Sequence, residues 1–266
     1  MVGAMLSRVL TTPHLLAAHT AGRPADPLAA TGLAELDALT GGMVPGRVWI
    51  LVGAPGQGRS TLVTQWAAAI AEGSDWAVQL VTPRDGSSVV ASRLLSRIGR
   101  VALPHLTNHR LDPSDGERLR LVGDRLAALN LCVFAKGDAA YVPEAAALQP
   151  QETPAVFLDD ADRISGLTPQ WVAARAAAGM FVLASMPRHR VLVAPDHEAD
   201  LDPTWAGVAD VVLEVRHRGL PNGAIRPGEA ELHLHYNRWG YIRTISVVHQ
   251  AHFSRFVESG PSNPTH

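Results

Sequence analysis

The sequence predicts an α/β fold, a mostly parallel sheet flanked by helices and closed by a C-terminal antiparallel hairpin. Three observations carry that expectation. Short, wholly apolar runs alternate with segments of helical spacing, as expected of strands buried on both faces. A glycine-rich loop, Gly53-Ala54-Pro55-Gly56-Gln57-Gly58-Arg59-Ser60-Thr61, lies between one such run and a helix. Near the end, apolar and polar residues alternate strictly on both sides of a turn.

Taken in order, residues 1–30 are rich in Ala, Pro and Thr and read as an N-terminal arm. Residues 31–37 read as a short helix closed by Gly41-Gly42. Val48-Trp49-Ile50-Leu51-Val52 is a buried strand, and residues 61–70 form the helix after the glycine-rich loop. A second strand covers 76–82, and residues 87–98 have helical spacing. Residues 115–129 make a clearer helix, with apolar side chains at 119, 121, 122, 126 and 129. Strands follow at 131–135 and at 155–160, the latter ending in the two carboxylates Asp159-Asp160. A helix at 171–178 and short strands at 180–185 and 210–215 continue the alternation. Residues 230–236 and 242–249 form the hairpin, and 259–266 read as a disordered tail behind a single domain at 31–258.

The glycine-rich loop matches the phosphate-binding pattern G-x-x-x-x-G-K-[ST], except that Arg59 replaces the lysine. Glycines let successive N–H groups converge on an anion, and the next helix adds the positive end of its dipole. Gly53, Gly56, Gly58, Arg59, Ser60 and Thr61 are therefore the candidate nucleotide-binding residues. The Ser60 hydroxyl suits Mg2+, and ATP is the expected ligand. A guanidinium is a bulky planar fork, whereas an ammonium is a compact charge. Arg59 should point past the lysine site or crowd it.

A net charge of −2 gives no general pull toward nucleic acid or acidic membranes. The basic residues are nearly all arginine, with Lys136 the one lysine. The single cysteine, Cys132, lies in an apolar run and reads as a small core residue. No apolar run approaches the length of a membrane span, so a cytoplasmic protein is expected. His233 and His235 share a strand face without a third metal ligand at a suitable spacing, and His249 and His252 read as surface residues. Asp112-Pro113-Ser114-Asp115 is a helix entry with Ser114 or Asp115 as the cap.

The ordered set Thr31-Gly32-Leu33, Leu36-Asp37, Leu39-Thr40-Gly41-Gly42, the glycine-rich loop, Arg93-Leu94-Leu95, Gly228-Glu229-Ala230-Glu231-Leu232 and Ser254-Arg255-Phe256 resembles the ATPase domain of DnaB-type replicative helicases. The resemblance covers about residues 30–258 and implies a RecA-like P-loop fold. Such helicases form hexameric rings with ATP sites between subunits, so self-association or a helicase ring is the implied partner. The family's separate amino-terminal domain is not expected in the roughly thirty residues that precede the core.

Residue by residue, the resemblance places the P-loop lysine on Arg59 and the catalytic glutamate on Arg84, which cannot act as a base. Asp85 is the adjacent carboxylate that could stand in. The magnesium-supporting aspartate is Asp159, so the implied metal residues are Ser60 and Asp159. The glutamine near the γ-phosphate is replaced by Asp162, and the one after the fourth strand's serine by Met186. Arg238 falls where the family inserts an arginine finger into its neighbour, and the companion lysine is Tyr236. Arg238 and Asp85 are thus the candidate catalytic residues. Asp160 reads as a helix cap or a bystander. The interval from Asp159 to Ser185 holds only Arg163 and Arg175 as cations, so single-stranded DNA binding is expected to be weak. Together these readings suggest a nucleotide-binding paralogue with impaired hydrolysis and an assembly or regulatory role in replication or repair. The alternative is an active helicase or translocase with a rewired site.

Overall fold

The buried apolar runs become one sheet because each carries too much apolar surface to leave either face in water. The computed structural model describes residues 26–75, 77–136, 152–187, 192–193, 199–200, 203–219 and 225–259. Its nine-stranded sheet is built from β1 (Val48–Gly53), β2 (Val78–Thr82), β3 (Leu131–Ala135), β4 (Ala155–Leu158), β5 (Phe181–Pro187), β8 (Val211–Gly219), β9 (Ile225–Asn237), β10 (Thr244–Gln250) and β11 (Arg255–Glu258). The order is β11-β10-β9-β8-β1-β5-β4-β2-β3. The strands from β8 to β3 pair in parallel, and β9, β10 and β11 extend the sheet antiparallel. A separate pair, β6 (Leu192–Val193) and β7 (Ala199–Asp200), lies outside it.

Alternate residues of β1 serve two cores. Trp49 and Leu51 join the layer that holds Leu62, Trp66 and Phe181, while Val48, Ile50 and Val52 join the layer around Val172 and Met186. Trp49 meets Trp66 and Phe181 edge-on, with ring centroids 5.9 and 5.5 Å apart. The helices are α1 (Ala34–Thr40), α2 (Arg59–Gly73), α3 (Ser87–Gly99), α4 (Leu103–Thr107), α5 (Pro113–Ala127), α6 (Pro169–Ala177) and α7 (Pro203–Ala206).

Several expectations are corrected. The first helix begins later than predicted because Gly32 has φ +79°, a left-handed conformation that ends helical geometry there. Leu28 N–H donates to Met43 O at 2.8 Å, so the last residues assigned to the arm are already tied to the core. Asp112, rather than Ser114 or Asp115, caps α5; Asp115 completes a reciprocal capping box with it. Cys132 is exposed, because β3 is an edge strand whose pleat turns that residue outward. The short elements α4, α7, β6, β7 and β11 escaped the periodicity reading, being too brief to show a pattern. Residues 1–25, the tail from 260 and Trp76 of the second predicted strand lie outside the described residues. Among the described residues no helix is long and apolar enough to cross a membrane.

Parallel pairing brings the C-terminal ends of β1, β2, β4 and β5 to one edge of the sheet. That edge is where open α/β sheets bind ligands. Residues immediately following β9 lie at the opposite edge, since Asn237 pairs with Val211 at the start of β8. The two ends are separated by about 16 Å, the length of β1 at ~3.3 Å per residue.

Candidate functional site

At the C-terminal end of β1 the chain turns through Ala54–Gln57 and enters α2, leaving a cleft of about 270 Å³. Gly56 and Gly58 have φ of +81° and +94°, so the turn uses backbone conformations that side chains resist. A Cβ on Gly56 would meet nothing within 4 Å, which leaves the inside of the turn open to a ligand. A Cβ on Gly58 would lie 2.7 Å from the Phe256 ring and 3.1 Å from His249, so the outside is tightly backed. No side chain caps α2, and its first N–H groups remain available to an anion. Ser60 and Thr61 line the cleft.

Arg59 lines the cleft, but its guanidinium is held by buried partners on β1 and after β4. The side chain is 6% exposed, with Nη1 donating to Gly53 O at 3.0 Å and Nη2 to Asp160 Oδ1 at 2.7 Å. Its stem passes beneath Gly53, whose missing Cβ leaves the room. Asp160 is therefore no bystander: it stands at the N-cap position of a 3₁₀ turn (Ala161–Arg163) without a side-chain cap bond, and its carboxylate is the buried counter-ion of Arg59. It adopts φ +50°, a left-handed conformation that aspartate tolerates better than most residues. Its second oxygen lies 3.6 Å from Arg84, whose side chain is 55% exposed beside the cleft. Arg59 and Arg84 thus share one carboxylate.

Asp159 is buried and accepts a 2.6 Å hydrogen bond from Ser185 Oγ, which itself accepts from Asp160 N–H at 3.0 Å. Ser60 also hydrogen-bonds Asp159. Burial raises the Asp159 carboxyl above the usual carboxylate range, against the pull of both hydroxyls. This pairing of a hydroxyl with a carboxylate is the all-oxygen donor set that suits Mg2+, and the open turn suits phosphates. Asp85 sits on the far wall of the cleft, where Arg93 holds it at 2.6 Å. Arg238 is not part of this cleft. It lies at the opposite sheet edge, 63% exposed, with Nη1 3.3 Å from Asp210 Oδ1.

His249 contradicts its surface assignment. It is 9% exposed, stacks on Phe256 with ring centroids 4.2 Å apart, and its Nδ1 lies 3.0 Å from His217 Nε2. Burial, then His217, lowers its pKa to about 4. Its inward position was readable, since Ile245, Val247 and His249 are spaced by two along one strand face. His217 was not singled out at all, and its pairing with His249 had no local signal. Of the two strand histidines, His233 has its Nδ1 hydrogen-bonded to Thr244 Oγ1, and His235 Nε2 lies 2.8 Å from Glu214.

Comparison with known proteins agrees with the geometry. Residues 29–148 match the family model described as DnaB-like helicase C terminal domain. The chain is 25% identical over 255 residues to a replicative DNA helicase DnaB of Leifsonia xyli subsp. xyli (strain CTCB07), covering 87% of this chain and 56% of that protein. It therefore spans little more than half the length of that curated relative. Among solved structures, one isolated ATPase domain superposes with a TM-score of 0.75 at 14% identity, covering 92% of this chain and 96% of that one. A DnaB-like replicative helicase studied with its primase interactions gives a TM-score of 0.75 at 14% identity, covering 96% of this chain and 68% of that one. The fold is RecA-like.

Two outcomes test the site's energetics. Arg59→Met should destabilise the protein by about 3–5 kcal/mol in denaturant unfolding, because it strands a buried carboxylate. Arg59→Met with Asp160→Asn should recover most of that loss; equal losses in the single and double variants would contradict the pairing. His249 holds fewer protons when folded than unfolded, so stability should be full above pH 6.5 and fall as pH drops toward about 4. His249→Phe should flatten that acid limb in melts recorded across the range.

Proposed function

We propose, for a chain that resembles the DnaB-type ATPase domain in sequence and fold, that it binds ATP with Mg2+ but hydrolyses it poorly and serves assembly or regulation in DNA replication or repair. The observation that carries the reading is the buried Arg59–Asp160 pair. It commits the P-loop's own cation, which still lines the cleft, to a buried carboxylate. Gly56, Gly58 and the first turn of α2, with Ser60 and Thr61, remain to cradle phosphate oxygens. Ser60 and Asp159 would hold the metal, which when bound neutralises charge on the phosphates. Arg84 borders the cleft and supplies a positive charge from the second strand.

Water activation is what the site lacks. A guanidinium has no lone pair to accept the proton of an attacking water. Asp85 faces the cleft but is ion-paired with Arg93, which disfavours its acting as a base. Losing a general base costs typically about 10²–10⁴ in rate.

Arg238 lies one strand length from the chain's own phosphate loop, so any contact with a bound nucleotide must be made on another subunit. The same hairpin exposes Tyr236, Trp239, Tyr241 and Ile242. This supports head-to-tail self-association, or capping of a helicase ring, through the Arg238 hairpin. Single-stranded DNA would bind weakly at most, since α6 and one 3₁₀ turn (Ala161–Arg163) occupy the interval after β4 where the family carries its strand-binding loops. The rival reading, an active ATP-driven helicase or translocase, is favoured by one observation: the Ser60–Asp159 metal pair is intact.

Phosphate release, measured with and without single-stranded DNA, decides between them. The expected rate lies at least about a hundredfold below the ~1–10³ s⁻¹ of working enzymes, and turnover in that range would overturn the proposal. Arg84→Ala should weaken magnesium-ATP binding by about tenfold in a fluorescence titration with a labelled analogue. Asp159→Asn should abolish the magnesium dependence of binding without loss of stability. A raised carboxyl pKa means the folded state holds its proton longer, so this group's contribution falls as pH rises through that value. At neutral pH the amide should therefore melt at the same temperature or higher.

A further inference from the structure

A second cavity, of about 330 Å³, opens beside the P-loop helix between α2, the end of α3, α5 and β11. Four arginines line it: Arg97, Arg100, Arg125 and Arg255. We propose that this cavity is a binding site, separate from the P-loop, for a small polyanion of the di- or triphosphate class.

The charge inventory argues for a ligand. Glu72 pairs with Arg97 at 3.2 Å and with Arg125 at 2.8 Å, so one carboxylate serves two guanidiniums. Arg255 is bonded to the neutral Gln250 at 2.7 Å, and Arg100 has no ion pair among the described residues. Four positive charges against one negative leave an excess of three around a concave wall. Burial chiefly, then Arg100 and Arg97, depress the Arg255 pKa, so the like charges sense one another. Helix-terminal arginines are common because a helix C-terminus attracts cations. That accounts for Arg97 in the last turn of α3 and Arg125 in the last turn of α5, but not for Arg255, which comes from a strand, nor for the convergence of all of them on one wall. Arg100 is fixed just past α3 at φ +52°, a conformation uncommon for its type. Guanidinium forks converging from three elements match phosphoryl oxygens bidentately.

The cavity shares a wall with the P-loop. Phe256 lines it, and the same ring backs Gly58. Gln65 of α2 clamps Phe256 by accepting from its N–H at 2.8 Å and donating to its carbonyl at 3.1 Å. Both cavities therefore adjoin one residue, and the test must separate them.

Isothermal titration of the full chain with inorganic tripolyphosphate, alone and with saturating magnesium and a non-hydrolysable ATP analogue, makes the separation. The expected result is one tripolyphosphate per chain that persists with the analogue present. Arg100→Asn keeps a residue tolerant of the left-handed backbone, and Arg125→Ala alters an exposed helix position. Each should weaken binding by about tenfold or more. Glu72→Gln should tighten it, a gain that unfolding cannot mimic. Displacement of all binding by the analogue would overturn the proposal, as would indifference to both arginine changes. So would a non-saturating heat, meaning an adventitious ion only. An oligonucleotide that binds with the same arginine dependence while tripolyphosphate does not would assign the patch to nucleic acid and equally overturn it. Failure of the analogue itself to bind would count against the P-loop reading alone, because the arginine dependence is read without it.

Discussion

The ion pair between Arg59 and Asp160 sets the character of the phosphate loop. A buried guanidinium must find its hydrogen bonds inside the protein, and here they are a carbonyl on β1 and a carboxylate after β4. The pair crosses the space between two non-adjacent strands, with β5 between them, and ties the loop to the sheet from below. Breaking either end would leave the other charge without compensation. Because Arg59 is committed to this task, the cleft must take its positive charge from helix N–H groups and from Arg84. The same carboxylate that pins Arg59 lies near Arg84, so the two arginines are joined through one aspartate.

Behind the loop, a second set of contacts fixes its height above the sheet. Phe256 and His249 stack in parallel against Gly58, and His217 completes the group. Gln65 locks β11 onto α2. The antiparallel extension of the sheet therefore acts as a buttress for the phosphate loop at one edge, while its hairpin tip presents Arg238 and exposed aromatics at the other.

Much of the fold was legible because it rests on local pattern. The wholly apolar runs at 48–52 and 155–158 predicted strands covered on both faces, and both are fully buried. The alternation in β10 predicted a strand with one inward face; following it one step further would have placed His249 inside. Gly56 and Gly58 announced the turn, since few other residues adopt its backbone. Pattern failed where elements are short, as in β11, and where an edge strand reverses the rule, as at Cys132. Asp160 was visible as a carboxylate, but its partner Arg59 stands far earlier in the chain, and no periodicity links the two.

The sequence by itself determined the α/β class, the glycine-rich turn between β1 and α2, and the arginine that stands in the lysine position of the phosphate-binding pattern at 59. Those properties follow from backbone freedom, hydrophobic period and side-chain type, which are carried by neighbouring residues. Only the tertiary structure decided where Arg59 turns, that Asp160 receives it, that His249 lies buried against the loop, and that four distant arginines meet in one cavity. Each of these depends on strand order, and strand order brings together charges whose separation along the chain hides their interaction.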